Sequence, residues 1–251
     1  MTMLSLAAVL LVMQVHLFAG RMHFLDREPW RSMAPGVAMS YVFLDILPHL
    51  SKKQQALEFG EGAGLALFLQ NHAYLLALVG FTLFLGLAKI SSASGAQETK
   101  SDEERQGRSV LYLRILPLAV YVALIGFLIG GQPDHRYEPV IVFACAMVIH
   151  LAGVNHTVRH KMSRLYDSSL RYMLAGATLA GWFLGAVTPI SDLVFALTFS
   201  FVAGAILIVA FVYELPAIAG GKSYYYFSAG VAGFSALLLL YEALSGISLT
   251  A

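Results

Sequence analysis

The sequence predicts an all-α integral membrane protein of eight transmembrane helices with both termini outside, and three observations predict it. Apolar residues make up 58% of the chain and charged residues 12%, about half the charge of a soluble domain of this size. The apolar residues gather into eight stretches, each near the roughly 20 residues that span a bilayer. Lys and Arg are sorted between alternate gaps. With the N-terminus outside, 13 of the 16 fall in inner gaps and 3 (Lys52, Lys53, Arg136) in outer gaps, the asymmetry that orients membrane helices.

The first stretch, Met3–Ala19, has no basic residue before Arg21 and no small-residue cleavage site after it, so it reads as a membrane helix and not a cleaved signal. Ala34–Leu50 and His72–Ile90 are the second and third spans. The short, Gly-rich piece Gly60–Leu69 between them suits a re-entrant or interfacial segment. The polar stretch Ser91–Gly107, rich in Ser, Gly and mixed charge, makes residues 91–109 a cytoplasmic linker too polar to bury itself. Val110–Gly130, Glu138–Val154, Leu170–Val187, Leu193–Tyr213 and Tyr224–Leu244 complete a single transmembrane domain spanning 1–251.

The composition excludes several functions. A formal charge of +1 and the lack of a basic, aromatic-laced patch give no pull toward nucleic acid. The single Cys145 provides neither a disulfide framework nor a thiolate metal site. No G-x-x-x-x-G-K-[ST] loop marks a nucleotide-driven pump. An intramembrane hydrolase would need a positioned nucleophile and base, and Ser40 has no His on its helix face, so the chain is not expected to be an enzyme. No cofactor is called for. Membrane lipid is the expected partner, with a second copy of the chain as a homodimer. A bacterial inner (plasma) membrane is the expected location.

The second and seventh spans look alike. In Pro35-GVAMSYVFLDILP-His49 and Ala203-GAILIVAFVYELP-Ala217, a Gly is followed twelve residues later by a Pro (Gly36 to Pro48, Gly204 to Pro216). The predicted topology runs these helices in opposite directions, the arrangement of inverted-repeat transporters, whose cargo binds at the repeat interface.

Few ionisable groups sit at membrane depth, where each costs roughly 2.5–3.5 kcal/mol on insertion scales. Asp45 and His49 are one turn apart on one helix face, and a carboxylate with an imidazole is a cation-binding pair. With His72, Asp134, His135 and Asp192 they would form an outer, cation-attracting vestibule. On the inner side His150, deeper in its span, is the candidate metal ligand, while Glu214 closes the seventh span as an inner gate and lines the exit with His16. His156 and His160, between Arg159 and Lys161, are better suited to an anionic partner or lipid headgroups.

The stretch GVAMSYVFLDILPH at Gly36–His49 resembles the second helix of the ZIP metal-transporter family, and AGAILIVAFVYELP resembles its seventh. The eight spans, outward termini and inner loop after the third span are similar to that family too. The resemblance implies a ZIP-like bundle with an inverted repeat, moving zinc or another divalent cation as cargo. The family's fourth-helix ligands would fall on Tyr121, Val122 and Ile125, none of which is a standard ligand. Its fifth-helix ligands would fall on His150, Leu151, Gly153 and Asn155, where the His is kept. The resemblance thus implies a degenerate metal site drawn from Asp45, His49, His150, Asn155 and Glu214, with His16, Tyr121 and His72 along the path. The alternative is a non-transporting relative acting as sensor, scaffold or partner subunit.

Overall fold

A computed structural model describes residues 3–22, 27–48, 51, 73–93, 108–131, 137–215 and 221–245, and these are almost wholly helical. In chain order they make eight rods: α1 (Met3–Phe18, closed by a 3-10 turn at Ala19–Arg21), α2 (Glu28–Tyr41, continued by a π-helical turn at Val42–Ile46), α3 (Ala73–Ala93), α4 (Arg108–Gly130), α5 (Tyr137–Lys161), α6 (Ser163–Leu165, a π turn at Tyr166–Leu170, then Arg171–Val187), α7 (Asp192–Val209 with a π turn at Ala210–Glu214) and α8 (Gly221–Ser245). Five stretches are long and apolar enough to cross a membrane: Met3–Arg21, Val140–Lys161, Tyr166–Val187, Val194–Glu214 and Gly221–Leu244. Tyr74–Lys89 and Ile115–Gly130 are apolar but shorter.

Several helices outrun the apolar segments that announce them. α2 begins at Glu28 instead of Ala34, and α5 continues past Val154 to Lys161. Hydropathy marks where lipid ends, whereas a helix continues while its backbone bonds are satisfied, so polar turns such as Asn155–Lys161 stay helical. The linker's ends are helical as well, since α3 runs to Ala93 and α4 starts at Arg108. The segment 94–107 and the piece Gly60–Leu69 lie outside the described residues.

The rods pack in pairs, and glycine sets the spacing of three of them. A Cβ on Gly36 of α2 would strike the Phe227 carbonyl of α8, and one on Gly230 of α8 would strike the Met33 carbonyl of α2. Gly204 of α7 stands in the same way against the Ala77 carbonyl of α3, and Gly80 of α3 against the Phe201 carbonyl of α7. Gly126 and Gly130 of α4 face Thr178 and Trp182 of α6, while Gly181 and Gly185 of α6 face Ala123 and Phe127 of α4. Small residues let helix backbones approach where lipid provides no hydrophobic drive between them. Serines stitch α2 to α8. Ser223 donates to Glu28, Ser40 Oγ to the Val231 carbonyl (3.0 Å) and Ser235 to Ser40 (3.3 Å). These contacts advance together along both chains, so α2 and α8 run parallel. The α4–α6 contacts do likewise.

Two π turns share a cause. Leu47 N–H donates to the Val42 carbonyl and Leu215 N–H to the Ala210 carbonyl, each reaching back five residues. Pro48 and Pro216 follow immediately and have no N–H, so the carbonyls four residues before them lose their usual donor. The extra residue per turn re-aims the side chains around it, and such bulges recur at functional sites.

α5 is the most buried of the five long apolar helices and α8 the least. Large apolar side chains such as Leu78, Leu116, Phe183 and Leu240 point outward, as lipid contact requires. Trp30, Tyr172, Tyr224 and Tyr225 are also exposed and lie near Arg31, Arg171 and Lys222, the pattern of a membrane–water interface.

Candidate functional site

Two polar clusters are sealed inside this apolar bundle, both built on α5. In the first, the Tyr121 hydroxyl of α4 donates to His150 Nε2 of α5 at 2.9 Å. His150 Nδ1–H donates to Glu214 Oε2, in the π turn of α7, at 2.8 Å. All three residues are essentially inaccessible. This assignment gives both ring nitrogens a partner. The second carboxylate oxygen, Glu214 Oε1, is buried and has no hydrogen-bond partner among the described residues. It lies over Gly153, where a Cβ would collide with it and come within 3.0 Å of the Ala34 Cβ. Gly153 therefore makes room for the carboxylate, and the π turn of α7 aims Glu214 at α5.

The second cluster lies farther along α5, toward its basic end. Thr178 Oγ1 of α6 donates to the Leu174 carbonyl at 2.9 Å, which leaves the hydroxyl oxygen to accept from His16 Nε2–H at 3.2 Å. His16 Nδ1 then accepts from the Asn155 amide nitrogen at 2.9 Å. The Tyr166 hydroxyl donates to the His16 carbonyl at 3.0 Å, satisfying one of the orphan carbonyls at the end of α1. His150 and Asn155 are five residues apart, about 7.5 Å along the helix, so α5 carries both clusters.

Asp45 belongs to neither cluster. It is buried in the π turn of α2 and hydrogen-bonds Tyr41 one turn before it. The Tyr41 ring packs 6.0 Å from Phe143 of α5 and 6.5 Å from Phe234 of α8.

The residues expected to form one metal site are thus divided among three places. His150 and Glu214 meet, and Tyr121 joins them. Asn155 turns to His16, which separates it from His150 and separates His16 from Glu214. Asp45 stays with Tyr41. His49 and His72 lie outside the described residues, as do Asp134 and His135. No group of three or more His, Cys, Asp or Glu side chains able to hold a metal ion occurs among the described residues. His156 and His160 stack, with ring centroids 6.4 Å apart. Val122 and Ile125, the other two positions aligned with fourth-helix ligands, are buried and apolar.

Sequence reasoning missed Thr178 and Tyr166, and met Gly153 only as a position of the fifth-helix pattern, not as the space for Glu214. Each looks ordinary along the chain: a hydroxyl inside an apolar helix, a tyrosine near an interface, one glycine among many.

No family model, no curated protein and no solved structure matches this chain. The reading of its function therefore rests on its own residues.

Proposed function

We propose that this chain is a ZIP-like membrane transporter built on an inverted repeat, with the basic helix ends toward the cytoplasm of a bacterial inner membrane and both termini outside. Its cargo is a divalent metal cation that passes the Tyr121–His150–Glu214 cluster. The observation that carries this reading is the buried imidazole–carboxylate pair, with one carboxylate oxygen that has no hydrogen-bond partner among the described residues. An ionisable pair at membrane depth is costly and marks an ion path by default. Imidazole nitrogen and carboxylate oxygen are both ligands that divalent metals accept. Two such ligands suit brief binding during passage better than permanent retention.

The repeat has support beyond the sequence motif. Positions 168 residues apart play the same part in α2 and α7. Gly36 and Gly204 are the close-approach glycines, Met33 and Phe201 carry the carbonyls that the partner glycines face, and the π turns begin at Val42 and Ala210. The partners α8 and α3 exchange in step. Eight crossings also fit the pairing, because the backbone-to-backbone glycine contacts join α2 to α8, α4 to α6 and α3 to α7, each a pair of helices an even number of crossings apart.

A second reading is favoured by the apolar Val122 and Ile125 and by the lack of a third converging ligand among the described residues. In it the chain keeps the fold without transport and serves as a sensor, scaffold or partner subunit, docking through the basic segment around Arg159–Arg171. The test is zinc and manganese uptake into proteoliposomes holding a metal-sensitive dye. Transport predicts uptake above empty liposomes that is lost in Glu214→Gln and His150→Gln. Wild-type protein no faster than empty liposomes, with folding intact, would leave the second reading standing.

A further inference from the structure

A narrow crevice opens between α3, α4 and α7, with a space of about 20 Å3, room for one water molecule. Its walls grade in the same direction on all three helices. Leu87, Pro117 and Tyr213 are half-buried, whereas Phe84, Tyr121 and Val209 are buried. The mouth therefore lies toward the end of α3, the start of α4 and the end of α7. Lys161 Nζ stands 5.6 Å over the Tyr213 ring, which puts the mouth on the side where the sequence gathers its basic residues.

The floor of the crevice is the back of the buried cluster. The Tyr121 ring meets Phe84 edge-on at 5.8 Å on the crevice side, while its hydroxyl bonds His150 on the other. Tyr213, at the mouth, is followed directly by Glu214 in the same π turn. One phenol thus separates a solvent-sized space from the imidazole–carboxylate pair.

From this geometry we infer that the crevice is the cytoplasmic vestibule of the cargo path and that Tyr121 is its gate. Swinging the phenol off His150 Nε2 joins the crevice to the buried pair and frees a ring nitrogen for cargo. The inference rests on the transport reading above. Of the three cluster residues only Tyr121 lines the crevice, so the closed state is held by its hydrogen bond to His150 and its ring contact with Phe84.

The test uses the full chain in liposomes, with Cys145 replaced (Cys145→Ala) and one cysteine introduced at the mouth (Leu87→Cys). A membrane-impermeant thiosulfonate reagent applied from the basic side is expected to reduce zinc flux at least fivefold. Applied from the opposite side it should do nothing. The same reagent on Leu83→Cys, whose parent side chain is exposed on the lipid face of α3, should leave flux unchanged. Tyr121→Phe keeps the ring and removes the latch, so flux should rise several-fold in protein of unchanged elution profile. Flux that persists after modification of Leu87→Cys from the basic side overturns the vestibule. A fall in flux on Tyr121→Phe overturns the gate and makes the phenol a cargo ligand. If wild-type protein carries neither zinc nor manganese, the transport reading itself fails, and the gate falls with it.

Discussion

Gly181 and Gly176 lie on the same helix, and substituting each by alanine should have opposite consequences. A Cβ on Gly181 would collide with the Ala123 carbonyl oxygen of α4 and would lie 2.7 Å from its carbonyl carbon and 2.9 Å from its Cα. All three are backbone atoms, so no rotamer change relieves the clash. Carbon atoms pack best at about 3.5–4.0 Å, so α4 and α6 must part by about 1 Å, and a gap of that size forfeits a quarter to a half of each contact across the seam. Overpacking of this kind costs about 1–3 kcal/mol. Gly176 has nothing within 4 Å of its hypothetical Cβ, and alanine is the better helix former, so Gly176→Ala should match or slightly exceed wild type. The assay is thermal unfolding in detergent, followed by the fluorescence of Trp182, whose backbone touches Gly126 and Gly130. For a chain of this size the cost corresponds to roughly 2–12 °C between the two variants. Equal melting of Gly181→Ala and Gly176→Ala would refute the idea that glycine contacts hold α4 against α6.

Other perturbations follow from the same geometry. Gly153→Ala should displace the Glu214 carboxylate and lower cation flux, while Gly86→Ala, at a site with open space, should leave flux unchanged; equal flux in the two would remove the need for a cradle. Thr178→Val takes away the acceptor for His16 Nε2–H and should destabilise by about 0.6–2 kcal/mol, the range for buried hydrogen bonds in membrane helices, as read by unfolding in mixed micelles. Arg159 and Asp167 form an exposed ion pair at 3.0 Å, so Asp167→Asn should change stability by less than about 1 kcal/mol. A larger loss would mean that this pair closes the α5–α6 turn.

Much of the architecture was legible along the chain because it depends on local sums. Hydropathy over each apolar stretch marks the membrane segments, and the sorting of basic residues suggests their direction. The Gly-to-Pro spacing in Gly36–Pro48 and Gly204–Pro216 identified the two helices that carry matched π turns, since a proline's missing N–H acts on residues just before it. The ends of α2 and α5 were less legible, because a polar turn such as Asn155–Lys161 looks the same whether it continues a helix or leaves it.

The sequence by itself determined the composition of a membrane protein, the helical class, and a list of candidate ionisable residues that included His16, Asp45, His150 and Glu214. Only the tertiary structure decided which of them meet. His150 finds Glu214 because the π turn of α7 aims the carboxylate at α5 and Gly153 leaves it room. His16 finds Asn155 and Thr178 because α1, α5 and α6 converge there. Spacing along one helix tells which residues share a face. The partner on another helix depends on bulges, glycine contacts and crossings far apart in the chain, and those are settled only when the helices pack.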